Sequence, residues 1–211
     1  MNIPELWHSS DPHVWTQALE RYWDFVQDRN RALERSLDAL DLARLRSLDA
    51  EGWYEFLRDE YFRWKYTAAN RYATTTGHLE RFVEENGLGK LDQVRLRLLG
   101  IDPHGVLDGL VAAKAIPGLG VAGASGLLAL MYPRSFGTVD QFVVKALRQL
   151  RSLPERANLA RMDPENLTVK NGVLIIGILR RKATDNNRLF GTANWTPRKV
   201  DKVLWTYGRD A

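Results

Sequence analysis

Apolar residues recur at three- and four-residue spacing along almost the whole chain, a period that admits little but helix. In "VWTQALERYWDFVQ" (14–27), Trp15, Leu19, Tyr22, Trp23 and Val26 fall on one helical face. In "NRALERSLDALDLARLRSL" (30–48), Leu33, Leu37, Leu40, Leu45 and Leu48 repeat in the same way. "DAEGWYEFLRDEYFRWKY" opens on Asp49, a good N-cap, and turns Trp53, Phe56, Leu57 and Phe62 inward. Further helical patterns cover 68–85, 90–98, 104–115, 121–132, 138–152, 165–183 and 196–207. The last begins with Thr196 as N-cap and Pro197 in the first helical position. The turn-forming stretches "ENGLGK", "GIDPHG", "YPRSFG" and "SLPERAN" separate these runs. Only "TVKNGVLIIGIL", rich in β-branched residues, would also suit a strand. The pattern predicts an all-α chain in two helical lobes, with an N-terminal helical region over 1–60 and a core over 61–211 that continues from it.

With 211 residues, 45% of them hydrophobic and 27% charged, the chain is long and apolar enough to bury a real core. The absence of cysteine excludes disulfides, Cys-ligated zinc and iron–sulfur clusters, and fits a reducing, cytoplasmic setting. "MNIPELWHSSDPHVW" has neither a basic n-region nor an apolar h-region, so no signal peptide is expected. The longest apolar run, "VLIIGIL" (173–179), is too short to span a bilayer, and no membrane partner is expected. A net charge of +4 and a pI near 9.4 permit a phosphate-bearing partner without demanding one. His8, His13, His78 and His104 show no metal-ligand spacing.

The chemistry concentrates in "IPGLGVAGASGLLALMYPRSFGTVDQF" (116–142). Pro117 lacks an amide donor, and Gly118 and Gly120 can take positive φ, so "IPGLG" ends the helix before it and turns tightly into the next. The small residues Ala122, Gly123, Ala124 and Gly126 let that next helix pack closely on a neighbour. Such a hairpin aims backbone N–H groups outward near a helix N-terminus, where an anionic phosphate can sit without sequence readout. It reads equally as a plain interhelical turn. Asp140 stands twenty positions after Gly120, at the start of a helix, where an acid is also favoured simply by the helix dipole.

Taken together, Ile116, Pro117, Gly118, Leu119 and Gly120, the small Ala124 four positions on, Val139–Asp140 and the basic Lys145 resemble the helix-hairpin-helix DNA glycosylase superfamily. The likeness is strong over 106–150, weaker over 66–100, and absent from the first sixty or so residues. It implies that the hairpin, with Ala122 and Lys145, holds the backbone of double-stranded DNA. It implies that Asp140 stabilises the oxocarbenium-like sugar and orients or deprotonates the attacking water as a flipped-out base departs. It also implies that the main-chain carbonyls of Lys114, Ile116 and Leu119 can bind a monovalent cation, no other cofactor being expected. Members that also cut the strand carry a lysine two residues after the second hairpin glycine. Here that position is Ala122, so a lysine route through it is closed and any activity resembles the monofunctional enzymes. The stretch 100–117 is short for the family, which leaves the pocket and the substrate base open.

A second stretch, "YFRWKYTAANRYATTTGHLERF" (61–82), interleaves Trp64, Lys65, Tyr66, Arg71 and Tyr72. Aromatics of this kind stack on bases and cations hold phosphates, so these residues are candidates for a base pocket or a duplex wedge. They read equally as a core helix followed by a polar loop. The basic segment 180–202 is a candidate DNA-facing loop or a solvated one. The chain is expected to act as a monomer. Its alternatives are a non-catalytic DNA-binding protein that keeps the hairpin grip and an all-α partner protein with no nucleic-acid role.

Overall fold

The computed structural model describes residues 2–209, and no strand occurs among them. The helices in chain order are α1 (Ile3–His8), α2 (Pro12–Glu20), α3 (Asp28–Asp38), α4 (Leu42–Ser47), α5 (Ala50–Glu55), α6 (Phe62–Lys65) and α7 (Ala69–Asn86). They continue as α8 (Leu88–Leu99), α9 (Val106–Ala113), α10 (Val121–Met131), α11 (Gln141–Arg148), α12 (Arg156–Arg161), α13 (Val169–Phe190) and α14 (Pro197–Gly208). The expected caps form. Asp49 accepts from the Gly52 amide at 2.8 Å and Thr196 from Lys199 at 3.2 Å, each satisfying a first-turn donor.

Several expected boundaries move, each for a local reason. The run at 14–27 splits at Glu20 into α2 and a 3-10 turn, Arg21–Phe25. Arg31 donates to the carbonyls of Trp23 and Val26 at 3.2 and 3.4 Å, and so holds the bend that follows. The run at 30–48 becomes α3 and α4 because Asp41 caps the second, accepting from the Ala43 amide at 2.9 Å. "TVKNGVLIIGIL" is helical. Thr168 and Asn171 form a reciprocal capping box, and α13 runs on to Phe190 before Gly191 ends it at φ +62°. The candidate basic loop at 180–202 is therefore corrected: its first half is helix, and its cations are mostly committed. Arg180 donates to the carbonyls of Ser135, His104 and Pro103, Lys182 to that of Trp7, and Lys202 is buried.

Around residue 60 the chain is continuously helical. A π-helical turn, Phe56–Tyr61, joins α5 to α6 in one helical run. Buried apolar side chains from Ile3 to Leu204 form one connected core. The first helices seal its far side: Trp15 meets Trp195 edge-on with centroids 5.3 Å apart, and Tyr22 packs on Trp205 at 5.4 Å.

α10 is the central element. Every one of its residues except Ala122 is buried. Its glycines decide what lies against it. A Cβ at Gly126 would come within 2.9 Å of the Tyr61 hydroxyl and 3.5 Å of Lys65 Cδ. One at Gly123 would come within 2.6 Å of the Tyr66 hydroxyl. The Tyr61 hydroxyl donates to the Gly123 carbonyl. The small-residue stripe thus seats α6, with Trp64, Lys65 and Tyr66, directly on the helix that follows the hairpin.

Candidate functional site

The hairpin forms as the sequence requires, but its two glycines differ. Gly118 has φ +80°, and a Cβ there would lie 2.9 Å from Thr75 Cγ2, so the fold itself demands glycine. Gly120, the N-cap of α10, has an ordinary φ of −76° and open space where a Cβ would go. No internal contact explains its lack of a side chain. Ile116 and Leu119 are buried and anchor the turn, while Gly118, Gly120 and Lys114 are exposed. The Ile116 carbonyl accepts from the Leu119 amide at 3.2 Å, and the carbonyls of Lys114 and Leu119 take no hydrogen bond from the described residues. Three neutral oxygens with lone pairs to spare suit a hard monovalent cation, so the donor set fits.

Asp140 sits where three helices converge on the segment 132–140. The amide of Thr138 donates to Asp201 of α14 at 2.6 Å, and that of Val139 to Ser125 Oγ of α10 at 2.9 Å. Asp140 then caps α11: its Oδ1 accepts from the amides of Phe142 and Val143 at 3.0 and 3.1 Å. Both capping bonds fall on one oxygen. Oδ2 takes no hydrogen bond or ion pair from the described residues.

The half-buried Asp140 lines a cavity of about 580 Å³, within the range of small-ligand pockets, about 300–1,000 Å³. Trp64, Lys65, Tyr66, Arg71 and Ala122 line it too, so the structure brings these expected site residues together with Asp140. An adjoining cavity of about 360 Å³ shares Tyr66, Arg71 and Ala122 and extends to Gly118 and Gly120. The acid and the hairpin therefore open on one continuous groove. Tyr72 lines neither cavity; the Arg63 guanidinium lies over its ring at 5.7 Å. Lys145 also stays outside, over the Phe142 ring at 5.7 Å.

The far wall was not legible in the sequence. Tyr22, Phe25 and Glu34 come from the first sixty residues, and Arg198, Asp201, Trp205 and Arg209 from the end of the chain. Behind that wall is a buried charge cluster. Arg198 meets Asp201 at 2.9 Å and Glu34 at 3.2 Å, and Lys202 bonds Asp38. Glu34 also accepts from the Tyr22 hydroxyl at 2.7 Å and from the Trp64 indole. Burial works to lower the Arg198 pKa, but the surrounding acids outweigh it and hold the guanidinium firmly charged. Burial pushes the Asp201 carboxyl up to about 6 against the opposing pull of Arg198. Burial also lowers the pKa of Lys65 and pushes the Tyr66 phenol up to about 12, so that phenol stays a donor.

No family model, curated protein or solved structure matches the chain. Among the described residues no helix is long and apolar enough to cross a membrane, and no cluster of His, Asp and Glu could hold a metal ion.

Proposed function

We propose that the protein is a helix-hairpin-helix DNA glycosylase that hydrolyses the N-glycosidic bond of a damaged, mismatched or modified base in double-stranded DNA. The divided carboxylate of Asp140 carries this reading. One oxygen caps α11, the other takes no bond from the described residues, and the cavity that the residue lines runs on to the hairpin. The exposed Gly118 and Gly120 hold a backbone phosphate by their amides, with a cation on the neighbouring carbonyls adding positive charge when bound. The target nucleotide turns out of the duplex into the larger cavity, against the rings of Trp64 and Tyr66. As the C1′–N bond breaks, the base leaves with the electron pair. The unbonded Asp140 oxygen stabilises the positive sugar, and takes a proton from the water whose oxygen bonds to C1′.

The test is Asp140→Asn, which retains a capping oxygen and removes the charge. Base release from duplexes carrying a panel of modified bases, read as alkali-labile sites, should fall on the order of 10²–10³-fold. Melting temperature and duplex affinity should stay near those of the native protein. The capping role of Oδ1 favours a second reading, a non-catalytic DNA-binding protein in which Asp140 is structural. A native protein that binds duplexes but releases no base, with Asp140→Asn lowering its melting temperature, would establish it.

A further inference from the structure

Lys65 is the chemically unspent group of the cavity. It ends α6, held against α10 by Gly126, and lines the same space as Asp140. A lysine at a helix C-terminus ordinarily extends into water, where the dipole favours it. This one is half-buried, its ammonium makes no hydrogen bond or ion pair with the described residues, and it lies over the Trp64 ring, 5.8 Å from the centroid. Of the other cations around the cavity, Arg198 is paired with three carboxylates, and Arg209 lies over the rings of Phe25, Phe142 and Trp205. The charged groups acting on Lys65 are Asp140, Asp201 and Glu34, which favour its ammonium, and Arg198, which opposes it. Burial outweighs the favourable ones, so the free amine is reached more easily than in water. An accessible, unpaired amine in a partly dry pocket is what imine formation with a carbonyl carbon needs.

We infer that Lys65 gives the protein a second activity, strand cleavage at the abasic site that base release leaves behind. The amine adds to the C1′ aldehyde of the ring-opened sugar and water leaves, giving a protonated imine between Nζ and C1′. A carboxylate, for which Asp140 is placed, takes a proton from C2′. The electron pair of that C–H bond forms the C2′–C3′ double bond, and the 3′ phosphate leaves with the electrons of the C3′–O bond. Water then hydrolyses the imine, returning the amine and releasing an unsaturated aldehyde, with no oxidant or reductant required. The amine arrives from α6 and not from the position after the hairpin, so the alanine at 122 does not close this route. The inference rests on the proposed reading of the cavity as a nucleotide site.

The experiment uses the full chain and a duplex with one abasic site, so that no knowledge of the substrate base is needed. In borohydride, the native protein should form a covalent adduct that survives denaturing electrophoresis, and peptide mapping should place it on Lys65. Lys65→Arg keeps the positive charge but offers no comparable nucleophile; it should lose the adduct and the strand break while still binding a duplex with a tetrahydrofuran abasic analogue, which cannot form an imine. If Lys65→Arg does not fold, mapping on the native protein decides alone. An adduct on another lysine, or none from a protein that still prefers the tetrahydrofuran duplex, would overturn the lyase assignment. It would leave Lys65 as a counter-charge to Asp140, Asp201 and Glu34, with hydrolysis standing. A protein that distinguishes neither modified duplex from an unmodified one would overturn the nucleotide reading of the cavity itself.

Discussion

Gly118 and Gly120 look alike in the sequence and differ in the structure, which gives the hairpin a discriminating test. Gly118 is held at positive φ against Thr75, so Gly118→Val should destabilise the fold by about 1–3 kcal/mol through strain and overpacking. Gly120 meets nothing, so Gly120→Val should melt close to the native protein and yet bind every duplex more weakly, whatever its sequence. Equal duplex affinity in a folded Gly120→Val protein would reduce the hairpin to a turn. At this scale the sequence was informative wherever the chemistry is local. The turn, the cap at Asp140 and its distance from the glycines all lie within one short stretch. The state of Lys65 was not legible, because whether an ammonium has a partner depends on residues far away in the chain.

Helices were legible as helices, and their ends were not. "NGVLIIGIL" is the one run that also suits a strand, and nothing in its period says that α13 continues to Phe190, since Gly191 and the capped turn after it set the end. α12, in a segment read as a turn, is held from outside by Arg148, which donates to the Leu159 and Met162 carbonyls. α13 also carries a testable electrostatic device. Lys182 donates to the Trp7 carbonyl of α1 at 2.6 Å and lies over the rings of Trp7 and Trp15, 5.0 and 4.7 Å from their centroids. Burial lowers its pKa from 10.5 to about 8, so below about pH 8 the folded chain carries an ammonium that the unfolded chain hydrates better. This penalty disappears as pH rises from about 8 through 10.5, where both states are neutral. Relative to Lys182→Met, the native protein should therefore gain melting temperature between about pH 7.5 and 11, a window bracketing that change. A difference that stays flat over that interval would show that ring contacts offset the burial cost.

Across the whole molecule, a cluster built from the two ends of the chain closes the fold. Glu34 and Asp38 come from α3, and Arg198, Asp201 and Lys202 from α14, 164 residues away along the sequence in the Glu34–Arg198 pair. No pattern in a single sequence pairs such residues, so the wall that they support could not be foreseen. Two cations face three carboxylates here, and Arg198 touches all three. Arg198→Met would leave buried acids without their main partner, at a cost of about 3–5 kcal/mol. Urea denaturation should show that loss as a lower midpoint. Because Asp201 also holds the Thr138 amide, the variant should lose activity beyond what its folded fraction explains.

The anchoring of residues 138–140 also bears on how such a protein could change its target. The acid is fixed by α10, α11 and α14, whereas the side chains facing it come largely from α3, α6, α7 and the turn at Arg21–Phe25. Substitutions at Phe25, Leu33, Tyr66 or Arg71 can reshape the space without touching any bond that positions the carboxylate. Under the proposed function, a lineage drifting through such changes could explore new bases while retaining Asp140 unaltered, and a designer could randomise the same four positions with the carboxylate held in place.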